Sequence, residues 1–470
     1  MLFSSLTFLF AFLPITAIFY FVPVFEREET EFKKKNIILL LASLIFYAWG
    51  EPVYIVLMLV SICFNYNIGR HLQFYDGFEK QKKAVLFFAV AFNLILLGIF
   101  KYAGFVAENV ENIFSLSLNY KAFALPVGIS FYTFQALSYV IDVYRGTVKA
   151  QDKLLPFALY ICMFPQLIAG PIVQYNDVEK QLVKREISKR KISVGLLFFI
   201  RGLGKKVIFA NTIGAVWSEI SAQDLNSMPA LTAWFGILCY TMQIYFDFSG
   251  YSDMALGLGK ILGFDFIQNF NFPYTATSIK DFWKRWHISL SSWFRDYVYF
   301  SLGGNRKGSK RTIFNIAAVW CLTGLWHGAS WNFVVWGAFY GALLLLEKFV
   351  FASVLEKIPL WIKHILTMVI VMVGWVFFAS ESMGSAALYL KAMFASSELF
   401  DTQSLYYLSS YGFILLVMAL SSFGVFRDFP RFKNKELRFL LHTAEYILIF
   451  VFCVVCLVSD TYNPFLYFRF

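Results

Sequence analysis

The sequence predicts an all-α polytopic membrane protein, with about eleven transmembrane helices plus re-entrant and interfacial helices around a central cavity. Three observations carry this reading. Of 470 residues, 59% are hydrophobic and only 15% charged, where a soluble chain carries about a quarter charged residues. The apolar residues fall in long continuous runs of the length a helix needs to cross hydrocarbon, whereas a β-barrel would show short alternating segments. Aromatic residues reach 20%, including 56 Phe, which suits lipid-facing surfaces and interfacial belts.

The apolar runs cover residues 4–23, 36–49, 52–69, 84–104, 192–215, 229–247, 312–326, 331–351, 361–380, 411–426 and 439–459. Each predicts a membrane helix. The first lacks a basic leading region and a small-residue cleavage site, so it is expected to be a retained helix. The loops at 27–35, 70–83, 180–191, 305–311 and 427–435 are rich in Lys and Arg. The positive-inside rule places all five in the cytoplasm and the N-terminus outside. These loops account for the net charge of +11 without nucleic acid. The lipid bilayer is the expected partner.

Two stretches do not read as simple spans. Residues 122–176 are apolar but broken by Pro126, Gly128, Pro165, Gly170 and Pro171, with Gln135, Asp142, Arg145, Gln166 and Gln174 among them. Broken backbone at membrane depth survives only inside protein or beside a watery cavity. Residues 245–300 carry too many charges to span lipid. They are expected to be re-entrant or interfacial, with Trp283, Trp286 and Trp293 at the membrane surface. The outer loop at 381–407 is too short to fold alone, so residues 1–470 read as one membrane domain.

The six Cys all lie in apolar runs. Cys453 and Cys456 form a C-x-x-C, but no second pair or nearby His completes a zinc site, and no metal is expected. Of five His, three (His71, His364 and His442) lie at loop or helix ends and read as solvated or interfacial. His287 sits in the charged segment FWKRWHISLSSWFRD. His327 sits in the apolar turn GLWHGASW, with 312–351 forming the two helices around it. A titratable ring is costly there unless it has a partner or a task, and imidazole is the side chain best suited to move protons near neutral pH. A lone buried His is as readily a core residue satisfied by a carbonyl.

The surrounding blocks shift that balance. WHGASWNFVVWGAFYG, DFWKRWHISLSSWFRDYVYFSLGGNRKG, FDFSGYSDMALGLGKILGFDF, FPQLIAGPI and LPVGISFYTFQALSYVID resemble the signature blocks of the membrane-bound O-acyltransferase superfamily. They are most similar to its bacterial branch of alginate and peptidoglycan O-acetyltransferases. The opening MLFSSLTFLFAFLP and the closing NPFLYFRF also resemble that branch. The resemblance implies that His327 is catalytic and that His287 is a second, less uniformly essential site residue. It implies transfer of an acyl group from a thioester donor to a hydroxyl, from the bacterial cytoplasmic membrane toward an extracytoplasmic polymer. It further implies a separate extracytoplasmic acetyltransferase as partner.

Chemistry supports these roles. A hydroxyl is a poor nucleophile at neutral pH, so a base must take its proton as it attacks the thioester carbonyl, and His327 is placed for that. Trp326, Asn332 and the backbone N–H groups around Gly328 are candidates to stabilise the oxyanion. No G-x-S-x-G elbow supports a serine hydrolase. The donor is expected to be acetyl-CoA or an acyl carrier protein thioester, with Lys284, Arg285, Arg295 and Arg306 as candidates to hold its phosphates, together with Lys307, Lys310 and Arg311. The positive-inside signal alone would explain about half of that charge. Asp247, Asp253, Asp281 and Asp296 read mainly as ion-pair partners, Asp281 also as a cavity residue, and Asp142 as part of a buried network. D-alanyl transfer to teichoic acid, a transporter or flippase, and a non-catalytic assembly anchor are the alternatives.

Overall fold

A computed structural model describes residues 1–22, 28–118, 120–425, 435–459 and 462–466. Most of the predicted basic loop at 427–435, the first residue of the one at 27–35, and the last four residues of NPFLYFRF lie outside the described residues. The chain forms two compact units, Met1–Phe199 with Ser252–Ile267, and Ile200–Tyr251 with Gln268–Phe470. Among the described residues every regular element is helical.

The first unit opens with a π-helical turn, Phe8–Phe12, running into α1 (Leu13–Phe21). Then come α2 (Glu28–Gly50), α3 (Ile55–Phe74), α4 (Glu79–Lys101), α5 (Ala103–Phe114), α6 (Ile129–Arg145), α7 (Leu154–Cys162), α8 (Phe164–Leu167) and α9 (Tyr175–Val183). Helix α10 (Lys189–Gly204) begins in this unit and ends in the second. In the second unit a π-helical segment, Lys205–Asn211, leads to α11 (Thr212–Ser221). Helix α12 (Ala230–Ile261) returns to the first unit. The second unit resumes with α13 (Ile279–Arg285), α14 (Ile288–Trp293), α15 (Gly308–His327), α16 (Trp331–Phe349), α17 (Ala352–Lys357), α18 (Leu360–Ala379), α19 (Met383–Ala395), α20 (Thr402–Ser422) and α21 (Lys435–Ser459).

Among the described residues, six helices are long and apolar enough to cross a membrane: α3, α4, α16, α18, α20 and Phe439–Ser459 of α21. Each coincides with a predicted run. The other runs are helical too, but they are short, as in α1, or carry charges and pack against neighbouring helices, as in α10 and α12. In α3 and α4 the fully buried Asn65 and Asn93 exchange side-chain hydrogen bonds of 3.1 and 2.8 Å. Each amide thereby satisfies the other where lipid would satisfy neither.

The broken stretch at 122–176 is irregular as its Pro and Gly residues dictate. Gly128 and Gly146 take left-handed backbone (φ 79° and 73°) at the two ends of α6, a conformation that favours glycine. Residues 156–173 are buried throughout, so the freed backbone is enclosed by protein. The basic loop at 180–191 also contributes inward: buried Arg185 donates to Tyr20 Oη, Asn36 Oδ1 and the Leu262 carbonyl, and its guanidinium stacks on Phe264 at 4.5 Å.

The stretch at 245–300 differs from expectation. Its first part, FDFSGYSDMALGLGK, continues α12 without a break to Ile261. Small residues explain this. A Cβ on Gly257 would lie 2.5 Å from the Gly195 carbonyl oxygen, and one on Gly250 would lie 2.8 Å from that of Gly202. Backbone-to-backbone packing of α12 on α10 hides a polar-looking face that needs no lipid. Nor are Trp286 and Trp293 surface anchors: both are buried, and Trp286 packs against Phe270, Phe282 and Trp375 at 5.0–5.6 Å. Trp283 joins the same aromatic cluster through Trp320 and Tyr340.

Candidate active site

The site is built in the second unit on the α15–α16 hairpin. Gly324 and Gly337 face each other so closely that a Cβ on either would overlap backbone of the other helix. The close approach fixes the end of α15, where His327 is the last helical residue, 7% exposed. Its ring is boxed edge-on by Trp326, Trp336 and Phe378, with centroids 5.0–5.1 Å away.

His287 joins α13 to α14 and is 1% exposed. Its backbone is left-handed at φ 44°, which costs an ordinary side chain roughly 1–3 kcal/mol and survives where the surroundings enforce it. Asn269 supplies that enforcement. Its Oδ1 lies 3.3 Å from His287 Nδ1 and accepts from Ser289 N and Ser289 Oγ, while its carbonyl accepts from Ile288 N. Nothing in the sequence singled out Asn269. The Trp326 ring lies 5.9 Å from His287 and 5.0 Å from His327, so one indole contacts both imidazoles.

Both His line one cavity of about 850 Å³, a size typical of small-molecule sites. It runs beside α15, with Ile316, Val319, Trp320, Thr323 and His327 presented at helical spacing. With a rise of 1.5 Å per residue, His327 lies about 16 Å along the helix from Ile316. Asn305, just before α15, also lines the cavity, so the cavity extends past the helix start. Five cations border it, Lys280, Lys284, Arg295, Lys348 and Lys363, together with two carboxylates, Glu347 and Glu356.

Of the expected phosphate holders, Lys284 and Arg295 line this cavity. Arg295 also pairs with Asp296 at 2.8 Å. Arg285 turns elsewhere, binding Asp281 at 2.9 Å and reaching Asn271 and Thr275. Asp281 is thus an ion-pair partner, and its N–H is capped by Ser278. Arg306, Lys307, Lys310 and Arg311 are exposed and are not among the lining residues. Asn332 is buried and donates to the Ser380 carbonyl at 2.5 Å, tying α16 to α18. Asp142 is buried on α6 of the first unit, and Asp253 also belongs to that unit. Lys280, Lys348 and Lys363 were not anticipated. They come from three different helix ends, and Glu347 holds the first of these by accepting from Ile279 N and Lys280 N. His364 meets the Ala276 carbonyl at 3.0 Å.

A model of the membrane-bound O-acyltransferase family, MBOAT, matches residues 149–379, which include both His and every residue lining the cavity. The chain is 39% identical to a probable alginate O-acetylase of Pseudomonas putida, along the whole of both chains. It is 40% identical to a probable alginate O-acetylase of Pseudomonas aeruginosa, over 84% of this chain and 75% of the relative. It is 34% identical to a peptidoglycan O-acetyltransferase of Helicobacter pylori, over 84% of this chain and 80% of the relative.

Proposed function

Because this chain belongs to the membrane-bound O-acyltransferase family, a family of polytopic all-α membrane enzymes, we propose that it moves an acetyl group from a cytoplasmic thioester, acetyl-CoA or an acyl carrier protein, to a hydroxyl of a cell-surface polysaccharide or of an extracytoplasmic partner that relays it. The reading places the protein in the bacterial cytoplasmic membrane.

One observation carries it: a single cavity joins five cations to both buried His. A phosphopantetheine arm has about thirteen atoms between its phosphate and its sulfur. At three atoms per peptide-length unit of 3.3–3.6 Å, it extends about 15 Å. An arm of that length lets phosphates held among the Lys and Arg side chains of the cavity present the thioester carbonyl to the imidazoles.

The chemistry then balances within the site. His327 takes the proton of the acceptor hydroxyl as its oxygen attacks the thioester carbon. The tetrahedral intermediate collapses, the C–S bond breaks, and the imidazolium returns the proton to the leaving thiolate. His287, locked by Asn269, faces the same cavity as a second polar group for the reacting carbonyl.

The test uses purified protein and a His327→Ala variant with radiolabelled acetyl-CoA, following free thiol and label. Loss of the base is expected to lower release by roughly 10²–10⁴-fold in a folded protein. Wild-type rates in folded His327→Ala would refute the assignment.

A further inference from the structure

The second unit contains a buried ion pair that the reaction above leaves without a task. Lys206 Nζ lies 2.7 Å from Asp247 Oδ1, with the side chains 2% and 3% exposed. Lys206 falls in the π-helical segment and Asp247 midway along α12. Charges in such a place are costly, and they persist only when their remaining hydrogen bonds are made.

Here they are made. Lys206 also donates to Asn211 Oδ1 at 2.8 Å and to the Pro464 carbonyl. The five-residue spacing of the π-helix brings Lys206 and Asn211 to one side. Asp247 Oδ2 accepts the Leu466 N–H at 2.9 Å, and Asn211 donates to Asn463 Oδ1 at 3.2 Å. Lys206 and the segment 463–466 therefore fix both oxygens of one carboxylate.

Asp247 also lines a second, small cavity of about 20 Å³. Its walls include Trp286, Trp336, Trp375 and Leu466, and among the described residues its ionisable lining groups are Asp247 and His327. The space is that of about one water molecule, and Asp247 and His327 both line it. His327 thus lines both the large cavity and the small one.

We infer that Asp247 is a positioning residue for His327: its carboxylate, fixed by Lys206 and Leu466, orients the imidazole and stabilises the imidazolium that exists between removal of the hydroxyl proton and its return to the thiolate. Asp247 takes no proton itself. The inference rests on the proposed acyl transfer.

Asp247→Asn alone strands a buried ammonium and is expected to fold poorly. The double variant Lys206→Met/Asp247→Asn removes both charges and carries the test. It is compared in detergent with wild type and His327→Ala, measuring size-exclusion profile, thermal unfolding, and kcat and KM for thiol release from acetyl-CoA. The expected double variant is folded, has KM within about twofold of wild type, and loses kcat roughly 10- to 100-fold. A folded double variant with wild-type kcat, one whose only change is a higher KM, or one that does not fold would overturn the inference by leaving the pair a structural role alone. A wild type that releases no thiol, or a His327→Ala variant as active as wild type, would instead overturn the acyl-transfer reading beneath it.

Discussion

Gly324→Ala should damage catalysis without touching a reacting group. An added methyl would fall short of the 3.4 Å at which ordinary contact with the Phe333 carbonyl oxygen begins by about 1.1 Å. The obstacle is helix backbone rather than a side chain that could swing away. Helices α15 and α16 must therefore separate or slide by up to about 1 Å. Overpacking of this kind costs roughly 1–3 kcal/mol. His327 is three residues along the same helix, within one turn. Misplacement of a catalytic group by about 1 Å costs on the order of 10²-fold in rate. The assay is thiol release from acetyl-CoA, with thermal unfolding measured on the same samples. Gly98→Ala is the control, because a methyl at Gly98 meets nothing within 4 Å. A Gly324→Ala protein with wild-type rate and wild-type unfolding temperature would refute the claim that this contact sets the position of His327.

Other outcomes follow from the same geometry. Lys348→Ala and Lys363→Ala, at the cationic border of the large cavity, should each raise KM for acetyl-CoA roughly 3- to 10-fold with kcat unchanged, and added salt should raise the wild-type KM; an unchanged KM would remove these residues from donor binding. Asn93→Leu deprives Asn65 of its interhelical partner and should destabilise the protein by about 0.6–1.7 kcal/mol, with a matching coupling energy in a cycle with Asn65→Leu. Partial burial raises the carboxyl pKa of Asp265, but Lys191 and Lys260, at 2.8 and 2.9 Å, outweigh that and hold it below the usual range. A depressed folded value contributes stability at neutral pH and loses it as pH falls through that value. Asp265→Asn should therefore unfold slightly earlier than wild type at pH 7, by less than about 1 kcal/mol, and the difference should vanish in acid.

The two His were legible because a titratable ring inside an apolar run is conspicuous in one dimension. The cationic border was only half legible. Lys284 lies three residues before His287 in sequence, whereas Lys348 and Lys363 lie at the ends of other helices and meet the cavity through the packing of α15, α16 and α18. Arg285 and Asp281 read as site residues from their neighbourhood, yet one helical turn pairs them with each other. The continuation of α12 was hidden because hydropathy averages a helix against lipid. The face of α12 with Gly250 and Gly257 packs against α10 backbone instead. Asp247 read as one of several ion-pair partners. Its partner Lys206 and the strap at 463–466 lie far off in sequence, so no local pattern joined them.

That separation constrains how the chain is assembled. The Pro464 carbonyl that accepts from Lys206 lies 258 residues downstream. At the usual 5–20 residues per second, translation of that interval takes roughly 10 to 50 seconds. Throughout it, neither the Pro464 carbonyl nor the Leu466 N–H is yet there to help offset the removal of Lys206 and Asp247 from water. The π-helical segment and α12 are then best handled as a charge-neutral couple. A mutation of one residue alone, which unlike the double variant strands a buried charge, should then show first as a lower yield of folded protein.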